Sequence, residues 1–392
     1  WGKIRGSYGK SGQTFTSAYL AHGLMNIMDK SFFGKTGITT DKPVSPYLTW
    51  EKTRQYDLGL DMDMFNYRLN VKLDYYYKYT SSLIYDIPIP GSLYAFGAQV
   101  ENAMEISNEG LELELQADIL RESAVSWRMK FNMARNWNRF EKSYSGKDVV
   151  DGDGTLLVAG RPLNGLYVWA HRGYYNSDAE VPRLYKIDGQ EIYFNGVATN
   201  GISGAVGDYR LLDLDGDGNP DSYYAGSPLP LAHGGWVNEL MWKNFDLNVL
   251  VNFTIGRKMI NNRMGLGFSR QSEDGHLTKL FDYRKLRPWD GVNKKPNAPA
   301  WGNSLSMNTD SAIEKVHHLA LKQITLGYNL PDRISKKAGL SGVRFFLTAE
   351  NLFYLSNYSG GNPEVVNIYT GRDNGDTYPL PRKYTLGLTL NF

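Results

Sequence analysis

The chain has 392 residues, with 43 Lys and Arg against 41 Asp and Glu, a net charge of +2. Near-neutrality excludes the bulk positive field that gathers nucleic acid or anionic membrane surface, and the absence of cysteine excludes disulfides and thiolate metal sites. No apolar run approaches the roughly 18 residues of a spanning helix, yet aromatics reach 13%, with 27 Tyr and 9 Trp, the side chains suited to a headgroup boundary.

In chain order, the opening Trp1-Gly2-Lys3-Ile4-Arg5 already reads as a strand, with neither initiator Met nor signal peptide. The expectation is a C-terminal portion of something longer, or one half of a split assembly. On Gln55–Met64, apolar Tyr56, Leu58, Leu60, Met62 and Met64 alternate with Gln55, Asp57, Gly59, Asp61 and Asp63. After a turn at Phe65-Asn66-Tyr67-Arg68, Leu69, Val71, Leu73, Tyr75, Tyr77 and Tyr79 oppose Asn70, Lys72, Asp74, Lys78 and Thr80. Leu111, Leu113, Leu115, Ala117 and Ile119 repeat the pattern, as do Val125, Trp127, Met129, Phe131 and Met133. Phe245, Leu247, Val249, Val251, Phe253 and Ile255 follow, and the chain stops on a strand whose apolar row is Tyr384, Leu386, Leu388, Leu390 and Phe392. Period two describes strands with one oily and one wet face. A terminal strand ending on an aromatic is the form of a barrel-assembly strand in the bacterial outer membrane.

The spacing predicts about ten strands, near 1–9, 53–65, 68–81, 107–119, 124–138, 234–242, 244–258, 316–329, 342–353 and 382–392. Runs of ~9–14 residues suit tilted membrane strands of ~9–11 better than soluble strands of ~5–6. Short links near 65–68, 120–123 and 242–244 alternate with long excursions at 11–52, 81–106, 141–233, 259–315 and 355–381, the unequal rims of an outer-membrane barrel. The rival is a soluble β-sandwich, whose strands alternate identically but hide their oily faces on each other. Strand length, aromatic load and rim asymmetry favour an all-β transmembrane antiparallel barrel over residues 1–392. An open edge in lipid is costly, so both edge strands must pair with strands outside this sequence.

Leu319 to Pro331 (LALKQITLGYNLP), Phe346 to Phe353 (FLTAENLF), Asn362-Pro363-Glu364-Val365 and Tyr378 to Phe392 (YPLPRKYTLGLTLNF) follow in order. Tyr8-Gly9-Lys10-Ser11-Gly12, Trp50-Glu51-Lys52-Thr53 and Tyr76-Tyr77-Lys78-Tyr79-Thr80 precede them. This linked set resembles the C-terminal part of SusC/RagA-type TonB-dependent outer-membrane transporters, over nearly the whole chain. The resemblance implies the C-terminal portion of a 22-stranded barrel whose plug domain and TonB-engaging motif are not in this chain. It also implies import of oligosaccharides or peptides under a SusD-like surface lipoprotein, with TonB acting through the plug. The chain departs from the pattern at Asn362, where Asp is usual, and at Leu380, where Gln is common. The alternative is a SusC-like barrel serving as a scaffold subunit of a larger outer-membrane complex. Neither is an enzyme.

One loop carries metal-ligand spacing. Asp213, Asp215, Asp217, Asn219 and Asp221 stand at positions 1, 3, 5, 7 and 9 of a turn with Gly at 6, the order that wraps oxygens around calcium. Position 12 is Tyr224 rather than the bidentate Glu of an EF-hand, so the expectation is a structural calcium loop, against a metal-free acidic turn. The carboxylates Asp57, Asp61, Asp63, Glu112 and Glu114 read as a hydrated channel wall balanced by Lys72, Arg128 and Lys130 rather than an acid–base pair. His317 and His318 point to opposite faces of a strand and cannot share an ion. Gly34-Lys35-Thr36 lacks the upstream Gly of a phosphate loop. Tyr94, Phe96, Trp169, Tyr174, Tyr175, Tyr223, Trp289 and Trp301 are candidate ligand-stacking aromatics, against loop self-packing. Trp137, Trp236 and Trp242 are expected as interfacial anchors. The substrate-binding residues stay unassigned.

Overall fold

The computed structural model describes residues 1–14, 25–40, 43, 45–90, 97–121, 123–150, 156–181, 183–185, 191–193, 206–216, 221–262, 287–292, 295–300, 309–375 and 377–392. The chain divides into two compact units, Trp1–Arg121 with Arg128–Leu163, and Glu122–Trp127 with Asn164–Phe392. The first is a sheet of strands β1 (Gly2–Gln13), β2 (Glu51–Met64), β3 (Leu69–Pro88), β4 (Ala98–Leu120) and β5 (Val125–Lys142), side by side in chain order. The second is built on β6 (Ala232–Trp242), β7 (Phe245–Asn261), β8 (Ile313–Asn329), β9 (Gly342–Ser356) and β10 (Lys383–Asn391), again in chain order.

Hairpins dictate that order. Phe65, Asn66 and Tyr67 take φ of 53°, 54° and 61°, the left-handed backbone that folds β2 straight back onto β3. Lys243 does the same with φ 51° between β6 and β7. The resulting register keeps like faces together. Leu60 opposes Leu73 and Leu73 opposes Leu113, while Asp74 opposes Glu112 on the other face. A slip of one residue would move the whole oily row to the polar face.

The apolar faces are not hidden. Leu58, within the first sheet, is 58% exposed and Leu347, within the second, 48%. Ile4, Leu326 and Phe345 are exposed as well. In a sandwich these rows would be the core. Aromatic ladders bound them: Tyr8, Tyr56 and Tyr77 cross the first sheet far from its tight turn, with ring centroids 4.8 and 6.5 Å apart. Trp242, Phe245 and Tyr328 cross the second beside its tight turn, 6.3 and 4.7 Å apart.

The expected strand bounds hold at the tight turns and fall short at the other end. β3 runs to Pro88 rather than residue 81, β4 begins at Ala98 rather than 107, and β8 at Ile313 rather than 316. The loop expected at 81–106 is therefore mostly a paired hairpin. Its register shifts between Thr80 and Leu83, so a bulge breaks the period-two pattern at the end of the expected strand. His317 and His318 consequently lie inside β8, not at its end. The excursions also carry hairpins of their own, such as Leu166–Trp169 with Ser222–Gly226 and His171–Tyr174 with Tyr209–Leu211. Gly34-Lys35-Thr36 enters a further one, with Phe33 and Gly34 at φ 46° and 76° forming the turn.

Candidate functional site

In the first unit the polar face of β1, β2 and β3 is organised by a missing side chain. Arg5 lies opposite Gly59, and Gly59 opposite Asp74. With nothing on Gly59, the Arg5 guanidinium crosses the middle strand. Its Nε donates to Asp61 Oδ2 at 2.9 Å, and its Nη2 donates to Asp74 Oδ1 at 2.7 Å. A Cβ at Gly59 would stand 2.5 Å from Asp74 Oδ1 and 2.6 Å from Arg5 Cζ. The second unit repeats the device. Arg344 Nη2 donates to Asp246 Oδ2 at 2.5 Å across Gly327, where a Cβ would lie 2.5 Å from Nη2.

Other carboxylates of this face are engaged as well. Asp57 takes bonds from Ser7 and Gln55 at 2.9 and 2.8 Å, and Asp63 from Asn70 at 2.6 Å. Lys72 reaches Glu114 at 3.6 Å and Arg128 reaches Asp118 at 2.6 Å. Of the expected cations Lys72 balances one of the expected carboxylates, Glu114, whereas Arg128 turns to Asp118 and the partner of Asp61 is Arg5. Nothing local in the sequence marks Arg5, because only register brings it across two strands. Charge-assisted pairs of this kind suit a wet wall.

Where β7 and β8 leave the belt, the segment after β9 folds onto them. Arg257, 4% exposed, donates Nη1 to Pro363 O at 3.1 Å and Nη2 to Val366 O and Asn367 O at 2.9 and 2.6 Å. Asn362 caps the short helical turn Pro363–Val365, its Oδ1 accepting from Glu364 N at 3.0 Å. An Asp would cap in the same way, so the departure at 362 leaves this local structure intact. Glu364 accepts from Lys322 Nζ at 3.2 Å and lies 3.7 Å from His318 Nε2. His318 first, and Lys322 with it, hold the Glu364 carboxyl below its ordinary range against the opposing effect of burial. Tyr358 donates to Asp373 at 2.7 Å, and Arg372-Asp373 pairs in parallel with Ile260-Asn261. The pair Arg257-Lys258, interrupting the apolar run from Phe253 to Ile260, is the available sequence signal for this clasp.

Among the loop aromatics, Tyr174 stacks on Tyr209 with centroids 5.3 Å apart, and His171 meets Tyr209 edge-on at 4.6 Å. His171 Nδ1 pairs with Asp310, and Ser311 donates to the Tyr209 hydroxyl at 3.0 Å. Burial pushes the hydroxyl pKa of Tyr174 and of Tyr209 upward. Tyr175 is buried, and Trp289 donates Nε1 to Asn176 Oδ1 at 3.2 Å. Self-packing thus accounts for Tyr174 and Tyr175, whereas Tyr223 is partly exposed and donates its hydroxyl to Asp310 Oδ2 at 3.4 Å. Tyr94, Phe96 and Trp301 lie outside the described residues.

Asp213, Asp215 and Asp221 each bring a carboxylate oxygen within 4.8 Å of the others. The loop also supports itself: Leu214 N donates to Asp221 Oδ2 at 2.6 Å and Gly216 N to Asp213 Oδ1 at 2.6 Å. Asp217 and Asn219 lie outside the described residues. Tyr384, Leu386, Leu388 and Leu390 of the last strand form one exposed row, paired along one side with β9, and Phe392 just beyond the strand is exposed too.

Residues 1–226 match the family described as TonB dependent receptor-like, beta-barrel. TonB-dependent receptor P26 of Formosa agariphila is 30% identical over 417 residues, covering 100% of this chain and 40% of that protein. TonB-dependent receptor SusC of Bacteroides thetaiotaomicron is 26% identical over 409 residues, covering 100% and 37%. The solved structure of the RagAB peptide transporter superposes with a TM-score of 0.76 at 24% identity, over 100% of this chain and 41% of that one. At that identity the likeness is one of fold. The chain spans about 40% of the length of the curated relatives it matches.

Proposed function

The chain belongs to the TonB-dependent receptor-like β-barrel family, whose SusC- and RagA-like members reside in the outer membrane, and from that premise we propose a role in energy-coupled nutrient import. The family is one of receptors and transporters rather than enzymes. In this reading the ten strands supply part of a SusC-like barrel wall, and the remaining strands and plug lie in the rest of the polypeptide. The cargo is an oligosaccharide or a peptide, admitted under a SusD-like lipoprotein and released by TonB acting on the plug.

One observation carries the reading. Each sheet presents an exposed apolar row to one side and a face of paired charges to the other. Lipid satisfies the first and water the second, and a hydrophilic cargo travels along the second. Uptake tests it. Deleting the full-length receptor should abolish growth on one class of oligosaccharide or peptide, with rescue from a plasmid and loss of rescue when the TonB-engaging segment is removed. Normal growth on every such nutrient, with copurification of a machine other than a lipoprotein lid, would instead establish the scaffold role.

The loop at 213–221 is assigned to structural calcium, on the convergence of Asp213, Asp215 and Asp221. Three carboxylates within reach of one hard cation fit calcium's preference for oxygen ligands, and the ion would brace the hairpin ending at Ser222–Gly226. Isothermal titration of the full-length receptor with calcium, against an Asp213→Asn/Asp221→Asn variant, decides it; equal binding by both would refute the assignment.

A further inference from the structure

Above the apolar belt, the same face of β1 and β2 carries three cations that import leaves without a task. Ascending from the tight turn, the oily row of β2 ends on Tyr56, which packs against Tyr8. By period two the next residues of that face are Arg54 and Lys52 on β2 and Lys10 on β1. Lys10 and Arg54 are directly opposed, and Lys52 is opposed by Gly12, which offers no side chain. All three cations are exposed, and among the described residues none has an ion-pair partner. Lys10 Nζ lies 6.0 Å from the centre of the Tyr8 ring.

Like charges placed directly opposite on a sheet repel, and an anion between them removes that cost. Among the described residues the sheet itself does not provide one. The carboxylates of this face on β4, Glu105 and Glu109, are held by Tyr79 and by Tyr75, whose hydroxyl donates to Glu109 at 3.1 Å. Depth supplies the second argument. From Met64 to Arg54 the strand climbs about 33 Å at about 3.3 Å per residue, or roughly 25 Å of membrane depth at a tilt of about 40°. That is the height of the hydrocarbon band, so the guanidinium stands at the level of lipid phosphates.

We propose that Lys10, Lys52 and Arg54 form a docking site for the phosphate of an anionic outer-leaflet lipid, whose chains lie along the Tyr8–Tyr56 row. Arg54 supplies a planar fork for two phosphate oxygens, and the lysines supply point charges to either side. The site rests on the membrane placement of this face and is independent of what the receptor transports.

The test uses the full-length receptor in vesicles of phosphatidylcholine with and without phosphatidylglycerol, followed by extraction and native mass spectrometry of retained lipid. The wild type should retain phosphatidylglycerol preferentially, with the preference falling as salt rises and unaffected by millimolar inorganic phosphate. The Lys10→Gln/Lys52→Gln/Arg54→Gln variant should lose the preference by roughly tenfold, and Arg54→Gln alone by a smaller factor if the triple variant does not assemble. Lys78→Gln removes a charge at similar height from the opposite face and should change nothing. A wild type without lipid preference would overturn the proposal, as when a carboxylate on an adjoining strand or partner neutralises the patch. So would variants that retain phosphatidylglycerol undiminished, competition by inorganic phosphate, or an equal loss in Lys78→Gln. Failure of the membrane placement is distinguishable, because the receptor would then not enter the vesicles.

Discussion

An arginine moved stepwise along β2 should report the membrane position by position. The oily row there is Tyr56, Leu58, Leu60, Met62 and Met64, between the aromatic ladder and the tight turn. At about 3.3 Å per residue and a tilt of about 40°, Leu60 stands roughly 10 Å above Met64, near the middle of a band about 25 Å tall. Leu60→Arg should therefore cost about 2–4 kcal/mol, and Tyr56→Arg only about 0–1. Gln55→Arg, on the polar face beside Asp57, should be close to neutral. Three kcal/mol is a factor of roughly 150 in the folding constant. Urea unfolding of the full-length receptor in lipid vesicles, followed by tryptophan fluorescence, would read the series. A flat profile along the row, or a larger cost at Gln55 than at Leu60, would refute the assignment of faces and the transport reading with it.

Further outcomes follow from the polar face and the loops. Gly59→Val and Gly327→Val should each destabilise by about 1–3 kcal/mol, because the added side chain must displace the crossing guanidinium; denaturant midpoints compared with Gly9→Val, where a Cβ meets nothing within 4 Å, would show it. Arg257→Ala should release the 363–367 segment, at a local cost of about 1–3 kcal/mol for the freed carbonyls, read as faster hydrogen exchange there with the sheet unchanged. Glu364 has a folded pKa held below its usual 4.5. Its pairing with His318 and Lys322 is thus fully present above the unfolded value and is lost as pH falls through the depressed one. Protection of residues 357–373 from protease should therefore decline on acidification below that value, and Glu364→Gln should remove this dependence. Chelation of calcium should speed cleavage within residues 209–226 of wild type and leave Asp213→Asn/Asp221→Asn unchanged.

The sequence by itself determined the ten strands, their direction of turning at the tight links, and which face of each is oily. Those are local matters: a period of two and a two- to four-residue turn are properties of neighbouring residues. It also marked the acidic loop, whose ligand spacing is equally short-range. It did not determine how far the strands run beyond the belt. Outside lipid, backbone pairing continues without requiring an apolar row, and a bulge at Thr80–Leu83 erases the phase.

Only the tertiary structure decided who pairs with whom on the polar face. Arg5 reaching Asp74 over Gly59, and Arg344 reaching Asp246 over Gly327, depend on register between strands far apart in the chain. Arg257 needs a loop more than a hundred residues away to satisfy it. A side chain's role on a sheet is set by its neighbours on other strands, and hydrogen-bond register, not sequence proximity, selects those neighbours.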